Sequence, residues 1–228
     1  MRRRSETRYE LGAALLQEGN QPAALQALFE AVRANPDNLE AHYLLGTLFL
    51  IRGDLPRAER HLRTCLRLKP RFPEAQNSLG VVLIHRRQYD GAIELLGRAT
   101  RDILYREPHV AWGNLGWAYL EKGSIGLAVR ALKRSVFLQP RFCVGRYRLG
   151  DAHFRRQEYD LAARELQAAV DIDDEGCRRL QDAYRLLGLS KMHLHDRDAA
   201  SAAFGRCRDL DPETREGREC QDYARNLH

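Results

Sequence analysis

Apolar positions along this chain recur in six blocks that share one internal order. The fourth shows it most fully: Trp112, Leu115-Gly116 and Tyr119 in a first stretch, Ala128 and Leu132 in a second, and Pro140 at the close. The Leu-Gly pair returns at Leu11-Gly12, Leu45-Gly46, Leu79-Gly80, Leu149-Gly150 and Leu187-Gly188, and the small residue of the second stretch at Ala24, Ala58, Ala92, Ala162 and Ala200. Each block predicts two antiparallel helices, A and B. A glycine inside a helix costs about 1 kcal/mol relative to alanine, so its return at one register in all six blocks implies a packing reason. The expectation is that helix A glycine meets helix B alanine where the two cross. Leu28, Phe49, Leu62, Leu96, Tyr119, Leu132, Leu166 and Phe204 then fill the space beyond.

The spacing W-x2-L-G-x2-Y, then alanine, a large apolar residue and proline over about 34 residues, is that of the tetratricopeptide repeat. The expected fold is all-α: a right-handed superhelix of six such repeats with a C-terminal capping helix. Repeats are placed at 5–38, 39–72, 73–108, 109–142, 143–180 and 181–214, with the cap at 215–228. Gly80 to Gly116 spans 36 residues, so two are inserted within Thr100–Pro108, and Gly150 to Gly188 spans 38, with the extra residues near Asp171–Gly176. Each repeat buries its apolar face only against neighbours. The last surface therefore needs a polar cap, which Arg215, Glu216, Arg218, Glu219 and Asp222 suit.

In such an array the A helices line the concave side. The second, fifth, ninth and twelfth positions of each repeat are expected to face inward. They include Tyr43 and Leu50; Asn77, Val81 and Ile84; Trp117 and Leu120; Tyr147 and Phe154. An apolar and aromatic row open to water marks a partner site. Asn77, with Asn114 in the next repeat, is placed to hydrogen-bond an extended peptide backbone.

Composition narrows the function. Charged residues make up 30% of the chain and the net charge is +6. The basic residues are spread along helix faces, so nucleic acid is not expected as a partner; only Arg2-Arg3-Arg4 forms a run, suited to an anionic membrane surface. No apolar run reaches membrane-spanning length. Of five cysteines, Cys65 and Cys207 occupy a small-residue core site held elsewhere by Ala31, Ala99, Ser135 and Ala169, and read as buried thiols. Antiparallel helices also set Cys207 and Cys220 at one height, a candidate disulfide; Cys143–Cys177, at the starts of adjacent A helices, is the alternative. Either needs an oxidising compartment. Asp171, Asp173 and Glu175 with Gly176 resemble the start of a calcium loop, but Arg179 and Asp182 fail its ninth and twelfth positions, so an acidic turn is expected. His193 and His195 are two apart on a helix and share no face. No metal or cofactor is expected. The chain shows no nucleophile–base signature and no phosphate loop, so an enzyme is not expected.

Asp102-Ile103-Leu104-Tyr105 after the third repeat, with Asn114-Leu115-Gly116 in the fourth, resembles the pilotins of type IV pili, the PilF/PilW/Tgl-like tetratricopeptide lipoproteins. The resemblance implies a non-enzymatic, periplasmic assembly factor anchored to the outer membrane. It would bind the type IV pilus secretin protomer and promote its insertion and multimerisation, on which pilus-dependent motility depends. The family's lipidated cysteine belongs at the mature N-terminus, whereas the first cysteine here is Cys65. The anchor is therefore expected to be absent from this chain, with Met1 replacing a leader and lipobox. The alternative is a cytosolic adaptor or co-chaperone that clamps peptide C-termini through Arg148, Arg185 and Asn114.

Overall fold

A computed structural model describes residues 2–226. Met1, on which the expected leader replacement turns, and Leu227 and His228 of the expected cap lie outside the described residues. These are arranged as 14 helices joined by turns, with no strand. The chain divides into two compact units, Met1–Arg106 and Glu107–His228. The first contains α1 (Arg2–Gln17), α2 (Gln21–Ala34), α3 (Leu39–Ile51), α4 (Leu55–Leu68), α5 (Pro73–His85) and α6 (Tyr89–Ala99). The second contains α7 (Pro108–Glu121), α8 (Ile125–Leu138), α9 (Cys143–Arg155), α10 (Tyr159–Val170), the short α11 (Glu175–Arg178), α12 (Gln181–His193), α13 (Arg197–Leu210) and α14 (Arg215–Asn226). Each odd A helix packs on the B helix that follows it, except that α12 pairs with α13 past the α11 turn. Pairs stack through α2–α3 and α4–α5 in the first unit, and through α8–α9, α10–α12 and α13–α14 in the second.

One turn design closes all six A helices. A single residue in the left-handed region reverses the chain: Gly19, Gly53 and Gly123 in three pairs, Arg87, Gln157 and His195 in the others. Its N–H donates back into the last helical turn, as from Gly123 to Leu120 O at 2.9 Å, and the next N–H reaches further, as from Ser124 to Tyr119 O at 2.8 Å. This double bond satisfies carbonyls that the helix leaves orphaned. The B helices α2, α4 and α13 then start on side-chain caps, Asn20, Asp54 and Asp196 accepting from the N–H three residues on. The acidic 171–176 stretch is likewise structural. Asp174 Oδ1 accepts from the Gly176 and Cys177 N–H groups and opens α11.

The crossing of A on B corrects one expectation. The glycine meets chiefly the large side chain four residues after the alanine of helix B, and the alanine itself only through its carbonyl, as at Ala24 O and Ala162 O, 3.3 Å from a Cβ on Gly12 and Gly150. A Cβ on Gly12 would lie 2.8 Å from Leu28 Cγ, and one on Gly46 or Gly80 2.6 Å from Cγ of Leu62 or Leu96. Gly116, Gly150 and Gly188 face Leu132, Leu166 and Phe204 in the same way. A helical side chain lies back over the turn preceding its own Cα, so the leucine covers the ground beside the alanine. At the small-residue site of helix B, Ser135 Oγ donates to His109 O at 2.7 Å. In the first pair, where alanine stands there, Ser5 of the A helix donates to Ala31 O at 2.8 Å.

The first unit also buries a histidine pair that sequence reasoning passed over. His42 Nε2 lies 3.0 Å from Pro36 O, and its Nδ1 lies 2.9 Å from His61 Nδ1. Only one tautomer assignment satisfies both bonds: His42 donates through Nε2 to the carbonyl, and His61 donates through Nδ1 to His42 Nδ1. This leaves a bare lone pair on His61 Nε2, buried without a partner, and the ring stacks on Phe49. Burial, then the neighbouring His42, depress the His61 pKa to about 4, and burial lowers His42 too.

Two measurements check these packing arguments. Gly46→Ala should lower unfolding stability by about 1–3 kcal/mol through overpacking against Leu62, read from the urea midpoint; a neutral or stabilising substitution contradicts the close approach. The His61 site should leave stability unaffected above pH 6.5, where both states are neutral. Below it the unfolded chain takes a proton that the folded core refuses. The penalty grows to about 3 kcal/mol and levels off near pH 4. His61→Leu should flatten the decline between those pH values, and an unchanged slope contradicts the assignment.

Candidate functional site

In the first unit, Tyr43, Leu50 and Val81 are half-buried on the A helices, and Tyr43 packs 5.1 Å from the Phe72 ring. Two residues expected beside them are covered. Asn77 is buried, and Ile84 is only 3% exposed. Ile84 falls in the last turn of α5, where the chain folds back through Arg87, whose N–H donates to Ile84 O at 2.8 Å.

In the second unit, Trp117, Tyr147 and Phe154 are half-buried as expected for a contact face. Leu120, by contrast, is 1% exposed. It packs with Leu149 and Ala152 of α9 and with Ala128 and Leu132 of α8, so it belongs to the core. Asn114 is also buried, and its Oδ1 accepts from Arg148 Nη1 at 2.8 Å. That oxygen serves the fold instead of an incoming peptide.

Trp117 and Tyr147 open on a hollow of about 260 Å³ whose wall is not the apolar surface expected. Three arginines and three carboxylates line it: Arg148, Arg155, Arg185, Glu121, Asp151 and Asp182. Asp151, Asp182 and Arg185 stand on the inward row itself, at ninth, second and fifth positions of their repeats, and Glu121, Arg148 and Arg155 each follow a residue of that row. Asp182 is the hub. Its Oδ2 accepts from the Tyr147 hydroxyl at 2.5 Å, and its Oδ1 from Arg185 Nε at 2.6 Å. Arg155 holds Asp151 through two bonds of 2.9 and 3.0 Å. Burial raises the Asp151 carboxyl, against the pull of Arg155. Burial and the Asp182 carboxylate push the Tyr147 phenol well up. The Arg148 guanidinium lies 4.5 Å over the Trp117 ring, a cation–π contact. Burial lowers Arg148 to about 10, so it stays charged at neutral pH. The hollow thus presents fixed charges of both signs around an aromatic floor, suited to a polar partner segment.

The cysteines are divided between two bridges and one thiol. Cys143–Cys177 joins the start of α9 to α11 with a Cα separation of 5.7 Å, and Cys207–Cys220 joins α13 to α14 at 6.1 Å. Pairings weighed as alternatives coexist, and Cys207 is not a free core thiol. Cys65 is, and burial pushes it up to about 12. Cys220 is buried on the inner side of α14, whose Tyr223 stacks on Phe204 at 5.1 Å. His193 stacks on Tyr159 at 4.0 Å, and no group of three metal-binding side chains occurs among the described residues. No described helix is long and apolar enough to cross a membrane. Two disulfides point to an oxidising compartment.

Thiol counting tests the bridges. Of the five cysteines, the oxidised native chain should expose none to a thiol reagent, the denatured unreduced chain one, and the reduced denatured chain all. More than one reactive thiol before reduction contradicts the pairing. Breaking Cys143–Cys177, which spans 34 residues, should cost about 3–4 kcal/mol on the chain-entropy account.

The tetratricopeptide repeat profile matches residues 9–63, 43–103 and 114–176. Among solved structures, PilW, described as a widely conserved type IV pilus biogenesis factor, superposes with a TM-score of 0.82 at 20% identity, covering 95% of this chain and 98% of that one. PilF of Pseudomonas aeruginosa gives 0.79 at 23% identity, covering 97% and 98%. Curated relatives include the BBSome complex member BBS4 homolog of Drosophila melanogaster, 28% identical over 127 residues, 55% of this chain and 24% of that protein. BBS4 of Bos taurus is 29% identical over 93 residues, 41% and 17% of the two. The chain spans about a quarter or less of the length of those relatives. With the profile covering more than half its length, and with the paired helices described above, the chain belongs to the tetratricopeptide repeat family.

Proposed function

We propose that this protein is a non-enzymatic assembly factor of the type IV pilus. It binds the secretin protomer through its A-helix faces and promotes insertion and multimerisation in the outer membrane. The observation that carries the reading is the end-to-end likeness to two pilus biogenesis factors, 95–98% of each chain in both directions. The Asp102-Ile103-Leu104-Tyr105 insert after the third repeat supports it independently of the repeat pattern. Two disulfides favour a periplasmic location, since cytosolic thiols are kept reduced; the same fact weakens the reading as a cytosolic adaptor clamping peptide C-termini.

Two contact surfaces are part of this reading. Tyr43, Leu50 and Val81 offer an apolar patch in the first unit. Trp117, Tyr147 and Arg148 offer an aromatic and charged one in the second. Partner capture needs no covalent chemistry. Tethering to the outer membrane is assigned to an acyl chain, which alone gives only marginal anchoring.

Gene deletion in the producing bacterium should convert heat-stable secretin multimers to monomers and abolish twitching motility. Complementation with Trp117→Ala or Tyr43→Ala, at equal abundance and unchanged thermal melting, should restore several-fold fewer multimers than wild type. Full multimer levels in the deletion strain rule out the assembly role; full levels in both variants rule out these faces as the contact.

A further inference from the structure

The largest apolar exposure in the described chain is not on the A-helix faces but on the segment between α6 and the end of the first unit. Ile103 is 95% exposed and Leu104 83%. Side chains so bare protrude; a groove that waits for a peptide would cover them on at least one side. They are nevertheless held in place. Asp102 Oδ1 accepts from the Leu104 N–H at 2.9 Å, and Tyr105, buried at the root, donates its N–H to Asp102 O at 3.3 Å. Other bare apolar groups differ. Ile51 stands singly, and Phe137 lies under the Arg134 guanidinium at 5.2 Å.

Basic side chains surround this tip. Lys69, Arg71, Arg98 and Arg101 share its border with two acids, Glu74 and Asp102, and the Asp102 carboxylate is occupied by the Leu104 N–H. All four basic residues are exposed. Arg98 pairs with the exposed Glu94, while Arg71 and Arg101 have no carboxylate partner among the described residues. The N-terminal end of α1 lies along the same run of turns. Arg2 borders a cleft with Asn35 and Asp37, and Asp37 pairs with Arg67 at 3.2 Å, two residues before Lys69.

We propose that the 100–107 segment is a membrane-contact loop: Ile103 and Leu104 enter the interfacial layer of an anionic bilayer, and Lys69, Arg71, Arg98 and Arg101 meet its phosphate groups. Adjacent aliphatic side chains with a basic border are the two ingredients of interfacial binding, apolar burial and attraction to anionic lipid. The inference deepens the pilus reading by supplying the second signal that a single acyl chain needs, placed on the edge where the N-terminus of α1 also lies. It does not require that reading for its test.

The test is co-sedimentation of the purified unacylated chain with vesicles of phosphatidylcholine alone or in equal parts with phosphatidylglycerol. The chain should bind the anionic vesicles, more weakly as salt is raised, and the zwitterionic ones little. Each basic contact is worth about fivefold in partitioning. Arg71→Glu with Arg101→Glu should therefore lower binding about twentyfold or more, and Ile103→Ser with Leu104→Ser about tenfold or more. All four positions are exposed, so the variants should melt as the wild type does. Absence of binding to anionic vesicles, or binding that neither double variant weakens, overturns the proposal. Loss of secretin capture in Ile103→Ser/Leu104→Ser, with vesicle binding intact, assigns the loop to a protein contact and overturns it as well. Vesicle binding that follows the prediction, alongside unchanged secretin in a deletion strain, upholds the loop and removes only the pilus reading.

Discussion

Every helix pair in this protein depends on one steric vacancy. The glycine of each A helix leaves out the side chain that would strike a leucine, or in the last pair a phenylalanine, rising from its B helix. The approach this permits sets the interhelical distance, and it buries Leu28, Leu62, Leu96, Leu132, Leu166 and Phe204 completely. The same register then exposes a row of half-buried side chains along the A helices of each unit. The functional faces are therefore a by-product of where the glycine sits: close packing on one side of helix A obliges the other side to face a neighbour or a partner.

The two units use that scaffold differently. The first keeps its polar anomaly inside, as a neutral histidine pair walled by aromatic rings. The second places its ionised groups on the open side, tied to one another through Asp182 and Asp151. Both disulfides also lie in the second unit. They brace the segments that depart from the simple repeat, the α11 turn and the terminal α14. A cap as polar as α14 has little apolar surface with which to hold itself, and Cys220 and Tyr223 supply the attachment.

Much of the fold was legible because the repeat is written in residue types with few alternatives. A helical glycine beside leucine at a fixed interval has one economical explanation, and the insert around Thr100–Pro108 showed as a break in that interval. The candidate site was only half legible. Positional counting found Trp117, Tyr147 and Tyr43 but placed Ile84 and Leu120 on the open face, because one-dimensional register ignores the neighbouring A helix. Leu149 and Ala152 lie over Leu120. The ionised wall stood in the same count: Asp182, Arg185 and Asp151 are at second, fifth and ninth positions, and Glu121, Arg148 and Arg155 each follow a counted one, but the apolar members of the row outweighed them in the reading. Their i,i+3 and i,i+4 acid–base spacing, Asp182 with Arg185 and Asp151 with Arg155, was the available signal. His42 and His61 lie 19 residues apart on different helices, so nothing local announced their contact. The left-handed turns at Arg87 and Gln157 were hidden because these are not residues that favour that conformation.

The functional account rests on A-helix faces engaging another protein, with the chain oxidised and held near a membrane. Amide hydrogen exchange of the oxidised chain, alone and with purified secretin protomer, addresses this most directly. The account predicts slowed exchange along α3 and α5 around Tyr43 and Val81, and along α7 and α9 around Trp117 and Tyr147, with the B helices unchanged. Protection confined to the B helices, or no change with saturating secretin, would contradict it.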